Sequence, residues 1–176
     1  MKKFLVLATL LCCMPAVRAF DPSKQLVIQT FPEGTVVFVN PSEMAAVKGT
    51  STQRDMQYDV TANTLSDSVS FTCTVYTGQP LNADSAYLRT PASVHASAIE
   101  LIYCEPKSNG WISRVRFYIS ASRLSSLLTV QTAPHIVFGA TPDAPAFTLS
   151  DKKWDERRRV LSIMLEVLRQ NNRQNR

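Results

Sequence analysis

Glycine and histidine are scarce in this chain of 176 residues, which contains five glycines, two histidines and four cysteines. So few glycines leave little room for a glycine-rich loop that would cradle a phosphate group. No motif typical of nucleotide binding, of zinc proteases or of EF-hand calcium sites is present. The histidines and cysteines also supply few ligands for a transition metal. The sequence therefore predicts neither a cofactor nor a metal site.

Charged residues are also few, at 19% of the chain, whereas apolar residues make up 45%. This balance is typical of one globular domain with a real core and argues against a disordered chain. After the N-terminal segment, no apolar run approaches the roughly 20 residues that a membrane-spanning helix needs. We therefore expect no transmembrane span beyond that segment.

The N-terminal segment, residues 1–19, has the pattern of a signal peptide. Lys2 and Lys3 precede the apolar stretch 4–14, and residues 17–19 end in a small residue, as signal peptidase sites do. The stretch is too short to span a bilayer, so an uncleaved anchor helix is the less favoured alternative. We expect cleavage after residue 19 and export from a bacterial-type cytoplasm to the periplasm or out of the cell.

Cleavage would leave two cysteines, Cys73 and Cys104. In an oxidising compartment such a pair usually forms a disulfide. Here it would close a loop of about 30 residues and stabilise the fold by roughly 3 kcal/mol. A redox-active pair is disfavoured because redox motifs keep their cysteines close together. A zinc site that also used His95 and His135 is disfavoured by the spacing of the four residues.

Alternating or β-branched apolar patterns recur between residues 25 and 138 and predict a series of short strands. Two pairs of neighbouring segments predict hairpins, one turning at Pro32-Glu33-Gly34 and one over 106–110. The predicted strands cover residues 25–31, 35–39, 56–60, 69–75, 86–89, 97–104, 111–119 and 136–138.

Helical patterns occur at three places, over 41–48, 120–128 and 151–171. The first begins with Asn-Pro-Ser-Glu, which suits a helix start, although a loop is nearly as consistent with it. The last has Ser150 as its N-cap and a broad apolar stripe that must be covered. Residues 172–176 form a polar tail that we expect to fray.

Together these patterns predict a mainly β, α+β domain over residues 20–150, with one or two short helices. We expect an antiparallel sheet or sandwich of about seven to nine short strands, with the C-terminal amphipathic helix packed on it. Bulky apolar residues occur on both faces of segment 111–119, so we expect this strand to be covered on both sides. The aromatic residues that could otherwise build a ligand-binding face are therefore interpreted as core: Tyr87, Tyr103, Trp111 and Tyr118.

Catalytic candidates are few. His95 lies between Ser93 and Ser97 and could act as a base beside a serine, but no nucleophile motif accompanies it. A histidine in such a place is far more often structural than catalytic. Four acidic residues could supply the two carboxylates of a glycosidase, but nothing in the sequence marks two of them as a pair. They are Asp84, Glu100, Glu105 and Asp143.

The basic residues concentrate at the C-terminus, where residues 151–176 contain eight Lys and Arg against four Asp and Glu. Arg157, Arg158 and Arg159 follow one another there. They are either the solvated face of the helix or a contact for anionic lipid, polysaccharide or an acidic partner. Nucleic acid is not expected, because the protein is predicted to be exported and no basic strand interleaved with aromatic residues is present.

The sequence thus favours a small exported protein of a non-enzymatic binding or assembly type, such as an accessory subunit of a cell-envelope complex. Its partner would be another envelope or secreted protein. Two alternatives remain open: an inhibitor or modulator of an exported enzyme, and a small hydrolase of envelope polymers that uses His95.

Overall fold

The computed structural model describes the backbone of residues 20–174 and the side chains of residues 20–171. The predicted signal peptide lies outside the described residues. A short 3-10 helix, Pro22–Gln25, comes first and is followed by nine strands and two α-helices. The strands are β1 (Leu26–Phe31), β2 (Gly34–Ala46), β3 (Met56–Asn63), β4 (Ser68–Thr77), β5 (Ser85–Arg89), β6 (Val94–Lys107), β7 (Gly110–Ser120), β8 (His135–Phe138) and β9 (Ala146–Thr148). The helices are α1 (Ala121–Leu127) and α2 (Asp151–Gln174).

The strands form one antiparallel sheet in the order β1-β2-β3-β4-β7-β6-β5-β8-β9, and β9 pairs back onto β2. This last pairing joins Ala45 to Thr148 and Ala46 to Phe147, and it closes eight strands into a barrel. Strand β1 stays outside the barrel, paired with the first half of β2. The predicted mainly β, antiparallel architecture with a C-terminal helix is confirmed. The prediction of a sheet or sandwich did not include closure of the barrel, which the three-residue strand β9 completes by pairing with β2.

The connections divide between the two ends of the barrel. Since neighbouring strands are antiparallel, the β2–β3, β4–β5, β6–β7 and β8–β9 connections all emerge at one end, which we call the loop end. The β3–β4 and β5–β6 turns, together with the starts of α1 and α2, lie at the opposite end. Three of the connections at the loop end, residues 47–55, 78–84 and 139–145, are seven to nine residues long and gather on one surface.

The predicted helix over 41–48 is wrong, because β2 continues through this segment as far as Ala46. Its pairing with β3 shifts register between Val39 and Ser42, so Pro41 falls in a bulge. Proline has no N–H to give to a sheet ladder, and a bulge is one of the few places where a paired strand tolerates it. Pairing with β3 and β9 therefore overrides a local pattern that suits a helix start.

The core contains a row of aromatic rings that crosses the barrel. Phe117 on β7 stacks on Phe71 with the ring centroids 5.2 Å apart, and its other neighbour is Phe138 at 6.4 Å. Phe138 in turn contacts Phe147 on β9, edge to face at 6.1 Å. Because these rings come from β4, β7, β8 and β9, they link β7, a strand of the second predicted hairpin, to the strand that closes the ring.

Helix α2 adds its apolar face to the same core. Ser150 caps it, with its hydroxyl accepting from the Lys153 N–H at 3.4 Å, as predicted. The helix continues to Gln174, beyond the predicted end at residue 171. The buried residues of its apolar stripe are Trp154, Val160, Leu161, Met164, Leu165 and Leu168.

The outer face of β7 is polar and open, which corrects the expectation that this strand is covered on both sides. Tyr118 is 45% exposed there. Arg114 donates to the Thr74 hydroxyl at 3.1 Å and forms an ion pair with Asp59 at 3.1 Å. The strand is central only in the sense that β4 and β6 flank it.

Candidate functional site

A cleft of about 780 Å³ opens at the loop end of the barrel. Three connections form its walls: residues 50–53 between β2 and β3, residues 77–84 between β4 and β5, and residues 138–145 between β8 and β9. Mouths of β-barrels are common places for ligand sites, because the closed ring of strands holds its loops in fixed relative positions. We call this the loop-end cleft.

Backbone hydrogen bonds hold the cleft walls together. The Ser51 N–H donates to the Asp143 carbonyl at 2.9 Å and so ties the β2–β3 loop to the β8–β9 loop. The Gln53 N–H donates to the Tyr76 carbonyl at 3.0 Å and ties the first of these loops to the end of β4. The cleft is therefore largely formed before any ligand arrives, which lowers the ordering cost of binding.

Glycines meet two different backbone requirements at this end, a left-handed conformation at Gly139 and a close approach at Gly110. Gly139 has a φ of +100°, in the left-handed region, where residues with a Cβ are strained. Gly110 in the β6–β7 turn lies so close to the Thr77 carbonyl and to Gln53 that a Cβ there would overlap both. Substitution of either glycine would therefore disturb the walls of the cleft.

The cleft is lined by hydroxyl, amide and carboxylate groups above an apolar floor that includes Leu81 and Phe138. Asp84 and Asp143 are exposed in it, and neither carboxylate forms an ion pair within the described residues. No Lys, Arg or His is among the lining residues. The cleft consequently presents negative charge to an approaching ligand.

A second depression of about 450 Å³ shares part of the β8–β9 loop with the loop-end cleft. Arg89 and His135 line it, and they are paired across β5 and β8. The Arg89 guanidinium stacks over Tyr87, 5.4 Å from the ring centroid. A positively charged surface thus adjoins the negatively charged cleft.

The three consecutive arginines of α2 do not share one environment. Arg159 is exposed, Arg158 is half-buried and forms an ion pair with Asp155, and Arg157 is 6% exposed. Since Arg157 faces the core, it cannot contact an external anionic partner in this structure. The predicted contact is therefore corrected for Arg157 and stays a prediction for Arg158 and Arg159.

Arg157 connects the helix to the barrel. Its Nε donates to the Tyr58 hydroxyl at 2.9 Å, and an Nη donates to the Asn40 carbonyl at 3.0 Å, beside the β2 bulge. The guanidinium also lies 4.8 Å from the centroid of the Tyr58 ring. Burial raises the pKa of Tyr58, and the charge of Arg157 opposes that rise. The phenol therefore stays protonated at neutral pH beside a buried cation.

The two cysteines are free thiols in the structure and do not form the predicted disulfide. Cys73 on β4 is opposite Val115 on β7, and Cys104 on β6 is opposite Ser113 on β7. Strand β7 thus separates them, and two strand spacings amount to about 10 Å. A disulfide needs Cα atoms within roughly 7 Å of each other. Both thiols occupy the inner face of the sheet, but on strands that are not neighbours.

We expect the protein that cleavage after residue 19 would leave to react at one cysteine when it is native and at two when it is unfolded. Cys104 is partly exposed, whereas Cys73 is fully buried, and burial raises the pKa of the Cys73 thiol. Iodoacetamide labelling without reductant, followed by intact mass measurement, should give one adduct in buffer and two in denaturant. An unfolded, unreduced protein that takes up no label would instead establish the disulfide.

His95 lies on β6 opposite Leu88 and is half-buried. The serines that flank it are engaged elsewhere: the Ser93 hydroxyl lies 3.0 Å from that of Thr90, and the Ser97 hydroxyl donates to the Tyr118 carbonyl at 2.7 Å. These contacts do not make the serine–histidine pair that a hydrolase would need. The hydrolase hypothesis thus gains no geometric support.

The structure brings together two of the four acidic residues considered for a carboxylate pair. Asp84 and Asp143 line the loop-end cleft, although 59 positions of sequence separate them. Glu100 lies outside it, paired with Arg116 at 3.6 Å, and Glu105 is exposed on β6. Sequence reasoning missed the cleft as a whole. In the sequence, turn residues at 50–53, 78–84 and 139–145 mark the three loops of the cleft, and they do not reveal that these loops meet.

Comparison of the chain with models of protein families, with curated proteins and with solved structures finds no match. Within the described part of the chain, no helix is both long and apolar enough to cross a membrane. Among the same residues, no three His, Cys, Asp or Glu side chains are grouped so that they could hold a metal ion.

Proposed function

We propose that this protein is a small exported binding module of a non-enzymatic type, and that the loop-end cleft is its binding surface. The proposal depends on one observation. Two exposed carboxylates, Asp84 and Asp143, line the cleft without forming an ion pair within the described residues, and no basic residue lines it. Its walls are tied together by backbone hydrogen bonds, as a preformed site requires.

The chemistry of the cleft favours an extended peptide segment that carries Lys or Arg. Hydroxyl and amide side chains such as Thr52, Gln53 and Asn82 can exchange hydrogen bonds with a peptide backbone. The two carboxylates would pair with a cationic side chain, and the apolar floor would accommodate its aliphatic stem. The partner would then be another envelope or secreted protein with a basic exposed segment.

The N-terminal sequence pattern, which predicts export, supports the same proposal. The signal-peptide pattern of residues 1–19 favours the periplasm or the outside of the cell. An accessory subunit of a cell-envelope complex would use the cleft to hold another subunit. A modulator of an exported enzyme would hold the enzyme in the same way, so identification of the bound protein separates these two roles.

We expect the cleft to bind a lysine-containing peptide in preference to an acidic one. Three fluorescein-labelled octapeptides that are alike except for two Lys, two Glu or two Gln residues would be titrated by fluorescence anisotropy. Charge-assisted contacts are worth roughly 1.5–3 kcal/mol when formed, so the double substitution D84N/D143N should weaken binding of the lysine peptide at least tenfold. The affinity should also fall as salt is added, because the carboxylates are exposed.

The matched control is D67N/D151N, which also removes two exposed carboxylate charges, in the β3–β4 turn and at the start of α2, at the opposite end of the barrel. It should leave the affinity unchanged. Equal binding of all three peptides, or equal losses in D67N/D151N and in the cleft variant, would show that the cleft is not the binding surface.

A further inference from the structure

Strand β1 has one free edge. It pairs with the first half of β2, outside the closed barrel, and the described residues place no strand on its other side. The six residues of β1, LVIQTF, include no charge, no proline and no bulge. Natural proteins usually protect an edge strand with one of these features. The edge of β1 is therefore open to another strand.

The hydrogen bonds of the β1–β2 hairpin show which backbone groups face this edge. The Thr35 N–H donates to the Thr64 hydroxyl at 2.9 Å, and the Thr35 carbonyl accepts from the Thr64 N–H at 2.9 Å. Thr35 thus directs both backbone groups toward β3, away from Thr30, its partner on β1. Residue pairs of an antiparallel ladder alternate between hydrogen-bonded and non-hydrogen-bonded, and Thr30 and Thr35 form a non-hydrogen-bonded pair. The N–H and C=O groups of Thr30, and those of Ile28 two residues before it, therefore point away from β2.

Apolar side chains accompany the free backbone groups. Val27, Ile28 and Phe31 on β1 are 45%, 50% and 47% exposed, and Phe38, opposite Val27 on β2, is 39% exposed. Val27, Phe31 and Phe38 share one face of the hairpin, because side chains alternate along a strand. An added strand would cover these side chains as well as satisfy the backbone.

We propose that the occupant of this edge is β1 of a second copy of the chain, paired antiparallel about a two-fold axis. The charges at the two ends of β1 favour this partner, since Lys24 precedes the strand and Glu33 follows it. Antiparallel pairing brings each Lys24 near the Glu33 of the other copy, whereas parallel pairing would bring like charges together. The Lys24 side chain is 80% exposed, and its ammonium group lies 3.7 Å from the Asp21 carboxylate. Because this ion pair is exposed, it does not prevent Lys24 from reaching the second copy.

One register satisfies both the backbone and the side chains. A two-fold axis perpendicular to the sheet keeps each side chain on the same face of the sheet. Opposed residues must share a face, so an even-numbered residue lies opposite an even-numbered residue and an odd-numbered residue opposite an odd-numbered one. With Gln29 opposite Gln29 of the second copy, Ile28 and Thr30 exchange backbone hydrogen bonds at both symmetric positions. Val27 of each copy then lies opposite Phe31 of the other, which buries the exposed apolar pair twice.

Sedimentation velocity of the purified protein over a range of concentrations tests the pairing. We expect a reversible dimer in the wild type and at least a tenfold higher dissociation constant in I28K and in T30P. I28K places a charge at the centre of the pairing, and T30P removes an outward N–H that β2 does not use. The control L65K introduces the same charge at an apolar residue that is 71% exposed in the β3–β4 turn, and it should dimerise like the wild type.

A cysteine substitution tests the register and does not depend on the stability of these variants. In a C104S background, Q29C should form a disulfide-linked dimer on mild oxidation, because opposed residues of a non-hydrogen-bonded pair have Cβ atoms about 4.5–5.5 Å apart. V27C, which faces Phe31 of the other copy, should crosslink at least tenfold more slowly. A wild type that stays monomeric at all concentrations, or a dimer that survives both I28K and T30P, would overturn the proposal.

Discussion

Replacement of Arg157 by alanine is expected to lower the free energy of unfolding by about 2–3 kcal/mol. The substitution removes donors from the Tyr58 hydroxyl and from the Asn40 carbonyl, and it empties the space of a buried aliphatic stem. Loss of a buried cation offsets part of this cost, because desolvation of the guanidinium is itself unfavourable. Urea denaturation followed by circular dichroism would measure the change.

Arg159→Ala is the matched control, since it removes the same side chain two positions along the same helix. Arg159 is exposed, so its loss should change stability by no more than about 0.5 kcal/mol. Arg157→Met separates the two contributions, because it keeps most of the stem and removes only the donors. If Arg157→Ala and Arg159→Ala lower the free energy of unfolding by the same amount, the buried guanidinium does not hold the helix to the barrel.

The arginine run also shows where sequence reasoning about this helix stops. Three consecutive residues on an α-helix point in directions about 100° apart, so they span about 200° and need not share one environment. The apolar stripe through Leu161 and Leu165 locates the buried face, and Arg157 precedes Leu161 by four positions. Helical periodicity alone therefore suggests that Arg157 lies on the buried side. The polar partners, Tyr58 and the bulge carbonyl of Asn40, are 99 and 117 positions away in sequence and could not be predicted.

Strands were predictable here because their signal is local, whereas closure of the barrel was not. Alternation from Val69 to Val75 predicts that Cys73 faces the core, and the structure agrees. Closure depends on β9, whose three residues are too few to show a period, and on two residue pairs with β2. The strand order also explains why the disulfide was predicted, because the sequence cannot reveal that β7 lies between Cys73 and Cys104.

The loop-end cleft could not be predicted for a related reason. Its acidic residues were visible as separate side chains, in segments outside the predicted strands. Their meeting depends on four connections emerging at one end of a closed ring, which follows only from the complete strand order. A ligand site assembled from three loops thus has no local pattern of its own.

Trp154→Ala is expected to have the largest effect of any single substitution considered, about 3–5 kcal/mol in the free energy of unfolding. The indole is 2% exposed at the start of α2, and its Nε1 donates to the Val130 carbonyl at 2.9 Å. It therefore ties the C-terminal helix to the segment after α1. A loss of this size is a large part of the 5–15 kcal/mol typical of a small domain, so the variant should be partly unfolded at 37 °C.

Trp154→Phe distinguishes packing from hydrogen bonding at the same position. Phenylalanine keeps most of the buried ring but leaves the Val130 carbonyl without its donor, which should cost about 1–3 kcal/mol. Both variants should unfold in a single transition if α2 belongs to the same cooperative unit as the barrel. A Trp154→Ala protein that loses helical signal in a separate, earlier transition would instead show that the barrel folds without its helix. Because α2 buries its whole apolar face in the strand core, we expect the helix and the barrel to unfold together.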